Sequence, residues 1–208
     1  LTTIMSSATL IHKYPETDQQ INREKHINRI KSAVVNLTGI LNDFLSLGKL
    51  EQGAIDVKIR PVMIHELCEE MIGDIRGTSK EGQDITCIVE SSEDLITTDA
   101  RILKNIFFNL VSNAIKFSDS DIRCKFNKDH DHFTLTVSDS GIGIPLDDQK
   151  YLFTRFFRAS NVLNIQGTGL GLNIVREYVS LLGGEVSFFS KENEGSDFVV
   201  KLPLNLKT

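Results

Sequence analysis

Apolar residues recur at alternating steps of three and four along the first fifty residues, the spacing of helices with one buried seam. The first run consists of Leu1, Ile4, Ala8 and Ile11. Pro15 interrupts it, and Thr17 followed by Gln20 is typical of a capping box that opens a second helix. This second helix keeps the spacing over about three heptads. Its seam consists of Ile27, Ile30, Val34, Leu37, Leu41 and Phe44.

Two such helices joined by a short turn predict an antiparallel hairpin whose apolar seam stays uncovered in a single copy. A second copy would supply the other half of a four-helix bundle, so the pattern predicts a homodimer. The alternative is that the hairpin packs against the rest of its own chain. The strictness of the repeat favours the dimeric bundle.

The pattern changes after Gly53, which ends the helix, so we place a domain boundary there, with a hairpin over 1–53 and a second domain over 54–208. The segment "AIDVKIRPV" alternates like a half-buried strand. Further helices are predicted from about Ile64, over 100–117, after Pro145 and over "GLNIVREYVSLL". Further strands are predicted over "ITCIVE", "LITTD", "IRCKF", "HFTLTV", "GEVSFFS" and "DFVVKLP". This order predicts an α+β sandwich, with helices covering one face of a mixed sheet.

Composition narrows the class of protein and its partners. The 208 residues carry a formal net charge of -5 and no basic stripe, which argues against nucleic acid as a partner. The three cysteines, Cys68, Cys87 and Cys124, form no C-x-x-C pair, and we interpret them as buried small side chains in a reducing compartment. No bilayer-spanning apolar run and no signal peptide occur, which predicts a cytoplasmic location, with a membrane reached only through segments upstream.

The predicted helix over 100–117 carries an apolar stripe and a polar one. The apolar stripe consists of Leu103, Ile106, Phe107, Leu110, Ala114 and Phe117. The polar stripe consists of Asn105, Asn109, Asn113 and Lys116. Asparagine is a poor residue for a helix interior, but its amide oxygen can bind a hard cation and its NH₂ group can bind phosphate oxygens. The alternative is a solvated polar face, for which glutamate, lysine or glutamine would be more favourable.

Two glycine-containing stretches flank an aromatic and basic segment. In "SDSGIGIP", Asp139 ends a strand beside Gly141 and Gly143, and a partly buried carboxylate there can accept a hydrogen bond from an amine such as that of adenine. An ordinary β-turn has the same composition. The stretch "GTGLGL" runs into a predicted helix, whose N-terminal amides favour an anion. Its spacing and the absence of a preceding strand exclude a Rossmann fingerprint, and no Walker A sequence occurs.

The segment between them, "LFTRFFRASNVLNIQ", alternates aromatic residues with Arg155 and Arg158 before a polar stretch. This composition is typical of a mobile lid over a bound nucleotide. Its phenylalanines would anchor the end of the lid that joins the domain, and an arginine would reach the phosphates. The alternative is the end of an amphipathic helix followed by a loop.

Four stretches occur in a fixed order: "NLVSNAIKFS", "DSGIGIP", "LFTRFFRA" and "GTGLGL". Jointly they resemble the N, G1, F and G2 boxes of the sensor histidine kinases of two-component signalling, which have a Bergerat-type ATP-binding fold related to those of gyrase B, Hsp90 and MutL. The tail "LLGGEVSFFSKENEGSDFVVKLP" is similar to the end of that catalytic domain. The segment "ILNDFLSLGKLEQG" is similar to the second helix of the family's dimerisation and histidine-phosphotransfer hairpin.

The resemblance implies a set of residues that bind Mg-ATP. Asn113 would be a magnesium ligand, with Asn109 on metal or phosphate and Lys116 on phosphate, while Asp139 would accept from the adenine amine. The other residues expected at the nucleotide are Gly141, Gly143, Phe156, Arg158, Gly167, Thr168, Gly169, Leu170 and Gly171.

The resemblance also implies the reaction, in which the γ-phosphoryl group of ATP passes to a hairpin histidine and then to an aspartate of a response-regulator receiver domain. The family's acceptor histidine would lie just before Leu1. His12 and His26 lack the acidic neighbour that usually follows it. Hydrolytic relatives carry a glutamate where this chain has Asn109, and a neutral amide cannot take a proton from water. A nucleotide-gated dimer scaffold that binds ATP without phosphotransfer is the alternative.

Overall fold

The computed structural model describes residues 2–14, 19–91 and 94–204. The chain divides into two compact units, Leu1–Lys49 and Leu50–Thr208. The assignment of 1–53 as a phosphotransfer hairpin and of 54–208 as a catalytic domain remains a prediction. Within the described residues, no helix is both long and apolar enough to cross a bilayer.

The first unit is built from the helices α1 (Thr2–Ile11) and α2 (Gln20–Glu51). The Arg23 guanidinium donates a hydrogen bond to the Tyr14 carbonyl at 2.7 Å, and the Tyr14 ring stacks on His26 with 5.8 Å between ring centres. The predicted seam of α2 is largely uncovered: Leu41 is 56% exposed and Phe44 is 64% exposed. Leu1, Pro15 and Thr17, on which the predicted first seam and the capping box partly rest, lie outside the described residues.

The second unit contains, in chain order, β1 (Arg60–Met63), α3 (Ile64–Ile75), β2 (Ile85–Glu90), β3 (Leu95–Thr98), α4 (Ala100–Phe117), β4 (Ile122–Lys128), β5 (His132–Asp139), α5 (Leu146–Gln149), α6 (Gly171–Leu181), β6 (Glu185–Lys191) and β7 (Gly195–Pro203). The strand predicted over "AIDVKIRPV" was wrong for most of its length, since only its end forms a strand. The reason is that, among the described residues, β1 pairs only with β3, and β3 offers only four residues.

Five strands form the main sheet in the order β2-β4-β5-β7-β6, and a separate two-stranded sheet joins β1 to β3. The β2–β4 pair is parallel and the other pairs of the main sheet are antiparallel, so the sheet is mixed. Along β5, inward-facing residues such as Leu135 are fully buried and alternate with partly exposed ones. Helices α3, α4 and α6 cover the buried face. The predicted α+β sandwich is confirmed.

Helix α4 is stabilised at its start by a capping residue and along its length by a regularly spaced apolar stripe. The Asp99 carboxylate caps it by accepting hydrogen bonds from the backbone amides of Arg101 and Ile102 at 3.0 and 3.4 Å. Most of the predicted apolar stripe is buried, including Leu103 and Phe107 at 0% exposure. The helix therefore lies firmly on the sheet and presents its asparagine stripe away from the core.

Candidate functional site

The asparagine stripe of α4 meets the first turn of α6. A Cβ placed on Gly171 would lie 3.0 Å from Asn109 Oδ1 and 3.9 Å from Asn113 Nδ2. The Asn109 amide nitrogen donates to the Asn105 carbonyl at 2.8 Å, which leaves its oxygen as the polar atom next to Gly171. Because the first amides of a helix have no intrahelical partners, two carboxamides and a set of N–H donors face the same space.

Lys116 extends this space toward the glycine stretch. A Cβ placed on Gly167 would lie 2.5 Å from Lys116 Nζ, so the lysine side chain reaches the backbone of the glycine stretch. Burial, and next the positive charge of Arg158, lower the pKa of Lys116. Two cations that repel each other in a half-buried position favour an anion between them.

The Arg158 guanidinium is held by the backbone of the segment that follows it. It donates hydrogen bonds to the carbonyls of Val162, Leu163 and Ile165, the second at 3.2 Å. Arg158 therefore organises the predicted lid from inside, while its charge acts on Lys116. An anion bound at Lys116 would compete with these carbonyls for the guanidinium.

Asp139 ends β5 with its carboxylate fixed by the loop that it begins. Its Oδ1 accepts a hydrogen bond from the Gly141 amide at 2.8 Å. Burial raises the pKa of Asp139, and the nearby Asp197 charge raises it further, whereas the hydrogen bond from Gly141 opposes the rise. A partly buried carboxylate of this kind is a strong acceptor for a polar group that takes the place of water.

The two glycines after Asp139 are required by close backbone contacts. A Cβ on Gly141 would lie 2.3 Å from the Phe117 carbonyl oxygen, and one on Gly143 would lie 1.9 Å from the Lys191 carbonyl oxygen. Gly143 also has φ +59, in the left-handed region. The Ile142 amide donates to the Phe117 carbonyl at 3.1 Å, so this loop is tied to the last residue of α4.

The first part of the predicted lid and the second glycine stretch pack on each other. Phe156 has φ 61 and is 66% exposed, and a Cβ on Gly169 would lie 2.6 Å from the Phe157 carbonyl oxygen. Thr168 Oγ1 accepts a hydrogen bond from the Leu170 amide at 3.2 Å. The Leu170 side chain is buried at 3% exposure, so it belongs to the core and leaves only its backbone for a ligand.

Three polar residues that sequence reasoning missed connect the predicted lid to the rest of the unit. Asn173 Nδ2 donates to the Phe153 carbonyl at 3.1 Å, and Asn161 Nδ2 donates to the Gly143 carbonyl at 3.0 Å. Asp148 accepts from the Ser160 amide and hydroxyl, both at 2.7 Å. Asn173 was the one with a signal in the sequence, because an asparagine inside the apolar stripe of a helix needs a specific partner.

Comparison with known proteins places the chain in a family. Residues 98–206, more than half of the chain, match the family described as "Histidine kinase-, DNA gyrase B-, and HSP90-like ATPase". The chain is 32% identical over 201 residues to the signal transduction histidine-protein kinase BarA of Escherichia coli strain K12. That alignment covers 92% of this chain and 22% of BarA, so the chain corresponds to a small part of this relative.

Two solved structures have the same fold over nearly the whole chain. The histidine kinase AdeS of Acinetobacter baumannii gives a TM-score of 0.71 at 18% identity and covers 98% of this chain and 94% of its own. Full-length ShkA in complex with AMPPNP gives a TM-score of 0.73 at 24% identity and covers 98% of this chain and 46% of its own. The chain belongs to the histidine kinase-, DNA gyrase B- and HSP90-like ATPase family and carries the catalytic domain of a sensor histidine kinase.

Proposed function

We propose that this chain binds Mg-ATP between α4 and the glycine stretch before α6 and directs its γ-phosphoryl group to a histidine of the helical hairpin. A response-regulator receiver domain then takes the group onto an aspartate. The observation that carries the proposal is the convergence of Asn109, Asn113 and Lys116 with Gly167 and Gly171, in a chain of this family.

The phosphate groups are held by positive charge and by backbone amides. Lys116 stands beside the backbone of Gly167, and Arg158 lies close enough for its charge to lower the lysine pKa. The N-terminus of α6 adds N–H donors on the same side. Phosphoryl transfer depends mainly on positioning and on stabilising charge, and these groups supply both.

Magnesium fits the amide oxygens of this site. The described residues contain no group of three histidine, cysteine or acidic side chains that would form a metal site by itself. Magnesium, however, is commonly bound by one or two protein oxygens together with substrate phosphates. Asn113, with Asn109, would supply those oxygens, and the bound ion would neutralise phosphate charge.

Asp139 supports an adenine-binding role. Its carboxylate is partly buried, is oriented by the Gly141 amide and lies at the end of β5 where the tight loop begins. An exocyclic amine that donates to this carboxylate would supply the hydrogen bond that water gives to an exposed carboxylate. Gly141 and Gly143 keep the loop backbone close to Phe117 and Lys191, which shapes the pocket.

Transfer to histidine is favoured over hydrolysis by the residue types on α4. The stripe that faces α6 presents Asn109 and Asn113, and a neutral carboxamide is no general base for water. An imidazole acceptor needs no such base, because it is itself a nucleophile. The uncovered apolar seam of α2 supports a homodimer through the hairpin.

The test is incorporation of label from γ-labelled ATP into the longer protein that contains this chain with its native preceding residues. The expected product is an acid-labile, alkali-stable label that Asn113→Ala reduces at least tenfold. Asn105→Ala is the matched control, because Asn105 is exposed on the same stripe and contributes only its backbone carbonyl to Asn109. Demonstrated Mg-ATP binding without any label would favour the scaffold, and steady phosphate release would favour an ATPase.

A further inference from the structure

A tight turn between α3 and β2 folds onto the C-terminal end of α4. The turn runs from Lys80 to Gln83 and is closed twice, since the Gln83 amide donates to the Lys80 carbonyl at 3.0 Å and the Lys80 amide donates to Gln83 Oε1 at 3.3 Å. Gly82 has φ +78, which a turn of this kind requires. The turn therefore holds its own shape and presents two side chains to the same place.

The Lys80 side chain binds the end of α4. Its Nζ donates to the Ser118 carbonyl at 2.8 Å, to the Lys116 carbonyl at 3.3 Å and to Asp119 Oδ1 at 2.7 Å. The last carbonyls of a helix have no intrahelical donors, and a cation is favoured at that end of the helix dipole. Lys80 thus satisfies acceptors that would otherwise turn to water. The exposed partner Asp119 adds little to this, because surface ion pairs are weak.

The Gln83 side chain completes the same contact from a buried position. Gln83 is 6% exposed, and its Nε2 donates to the Ser118 carbonyl at 3.1 Å and to the Ser120 carbonyl at 2.8 Å. A buried amide with every polar atom satisfied holds its partners more firmly than an exposed one. Together Lys80 and Gln83 fix the backbone from Lys116 to Ser120.

That stretch of backbone contacts both parts of the proposed nucleotide site, the one expected at the phosphates and the one expected at the adenine. Lys116 provides the cation beside Gly167. The Phe117 carbonyl accepts the Ile142 amide at 3.1 Å, and it stands so close to Gly141 that no Cβ fits between them. A shift of this carbonyl would therefore move the loop that orients Asp139.

We infer that Lys80 and Gln83 are positioning residues for nucleotide binding, acting through the end of α4 on Lys116 and on the loop after Asp139. The inference rests on the proposed binding of ATP at this site. Neither side chain needs to touch the nucleotide. Their loss would let the last turn of α4 fray, which lowers affinity without removing any group that binds ATP.

The test compares ATP dissociation constants at a temperature where every variant is fully folded. Lys80→Met is the main variant, because Lys80 lies at the surface and its replacement removes three donors without opening a cavity. Lys80→Arg keeps donors for the same carbonyls. Lys125→Met is the matched control, because Lys125 pairs with Glu90 on the sheet, away from α4. Exchange of the Ile142 amide with solvent deuterium, measured without nucleotide, reports the loop directly.

The expected result is a three- to tenfold weaker ATP affinity and faster Ile142 exchange in Lys80→Met, with affinity restored in Lys80→Arg and unchanged in Lys125→Met. A lower Tm with unchanged affinity and unchanged Ile142 exchange would overturn the inference and leave Lys80 a purely structural residue. Failure of the unaltered chain to bind ATP would overturn the proposed function itself. Gln83→Glu, which loses both donors at constant shape, is expected to follow Lys80→Met.

Discussion

Asn109 Oδ1 lies 3.0 Å from the position that a Cβ on Gly171 would occupy, so the asparagine stripe of α4 lies directly against the first turn of α6. This contact brings together two stretches that are far apart in the chain. It makes the amide oxygen of one helix and the N-terminus of the other parts of a single surface. The proposed nucleotide site depends on that surface.

Lys116→Met is expected to weaken ATP binding about tenfold or more and to leave adenosine binding unchanged. The substitution removes the cation beside Gly167, and a charge-assisted hydrogen bond to phosphate contributes roughly 1.5–3 kcal/mol. Isothermal titration with both ligands measures the difference. Lys104→Met is the matched control, because Lys104 lies on the same helix but pairs with Glu70. Equal losses for ATP and adenosine would contradict a role on phosphate.

Asp139→Asn is expected to weaken both ATP and adenosine binding by about ten- to a hundredfold. The neutral amide loses the charge-assisted part of the hydrogen bond to adenine, roughly 1.5–3 kcal/mol. Asp197→Asn removes a neighbouring carboxylate and is expected to bind as the unaltered chain does. Unchanged affinity in Asp139→Asn, measured by calorimetry, would refute adenine recognition by Asp139.

Asp139→Asn is expected to weaken nucleotide binding, but at higher pH it is expected to raise Tm relative to the unaltered chain. Burial raises the pKa of Asp139, so the folded state disfavours its charged form. Asp139 therefore makes its full contribution to the free energy of unfolding below the pKa of the unfolded state, about 3.9. This contribution is lost as pH rises through the higher pKa of the folded state. Asp139→Asn should therefore gain Tm relative to the unaltered chain as pH rises above about 4. A Tm difference that is constant over this range would show that the charge of Asp139 costs the fold nothing.

Gly143→Ala is expected to destabilise the second unit by about 2 kcal/mol or more. The new methyl group would overlap the Lys191 carbonyl, and the left-handed backbone adds strain of about 1 kcal/mol. Thermal unfolding measures the loss. Gly77→Ala is the control, because a Cβ there meets nothing within 4 Å and the backbone is not left-handed. A Gly143→Ala variant as stable as the control would mean that the loop relaxes freely.

Cys87 is expected to be alkylated by iodoacetamide before the other two cysteines. It lies opposite Cys124 on the neighbouring strand and accepts a hydrogen bond from the Cys68 thiol, which lowers the pKa of Cys87. Cys68 and Cys124 are buried, whereas Cys87 is only partly so, which corrects the expectation that all three are buried. Cys68→Ala should raise the pKa of Cys87 and slow its alkylation near pH 7. Peptide mass spectrometry measures the alkylation rate of Cys87 in both proteins. An unchanged rate in Cys68→Ala would contradict this prediction.

Much of the fold was predictable because its signals are local. The bounds of α4 agree with the predicted 100–117, since Asp99 caps its first turn and the apolar spacing continues to its end. The strand over 85–90 also agrees, because alternation there matches a sheet with one buried face. The four boxes in their order, together with two flanking segments, predicted the family, and the family match over 98–206 agrees with it.

Only the tertiary structure decided which local elements find partners. The segment before β1 alternates like a strand, but β3 is too short to pair with all of it. Leu170 lies within a glycine stretch expected to face phosphates, yet its side chain is buried in the core. The contacts of Lys80 and Gln83 with the end of α4 have no counterpart in any spacing along the chain. Periodicity and capping act over a few residues and are written in the sequence, whereas these contacts arise only when packing brings distant backbone groups within hydrogen-bonding distance.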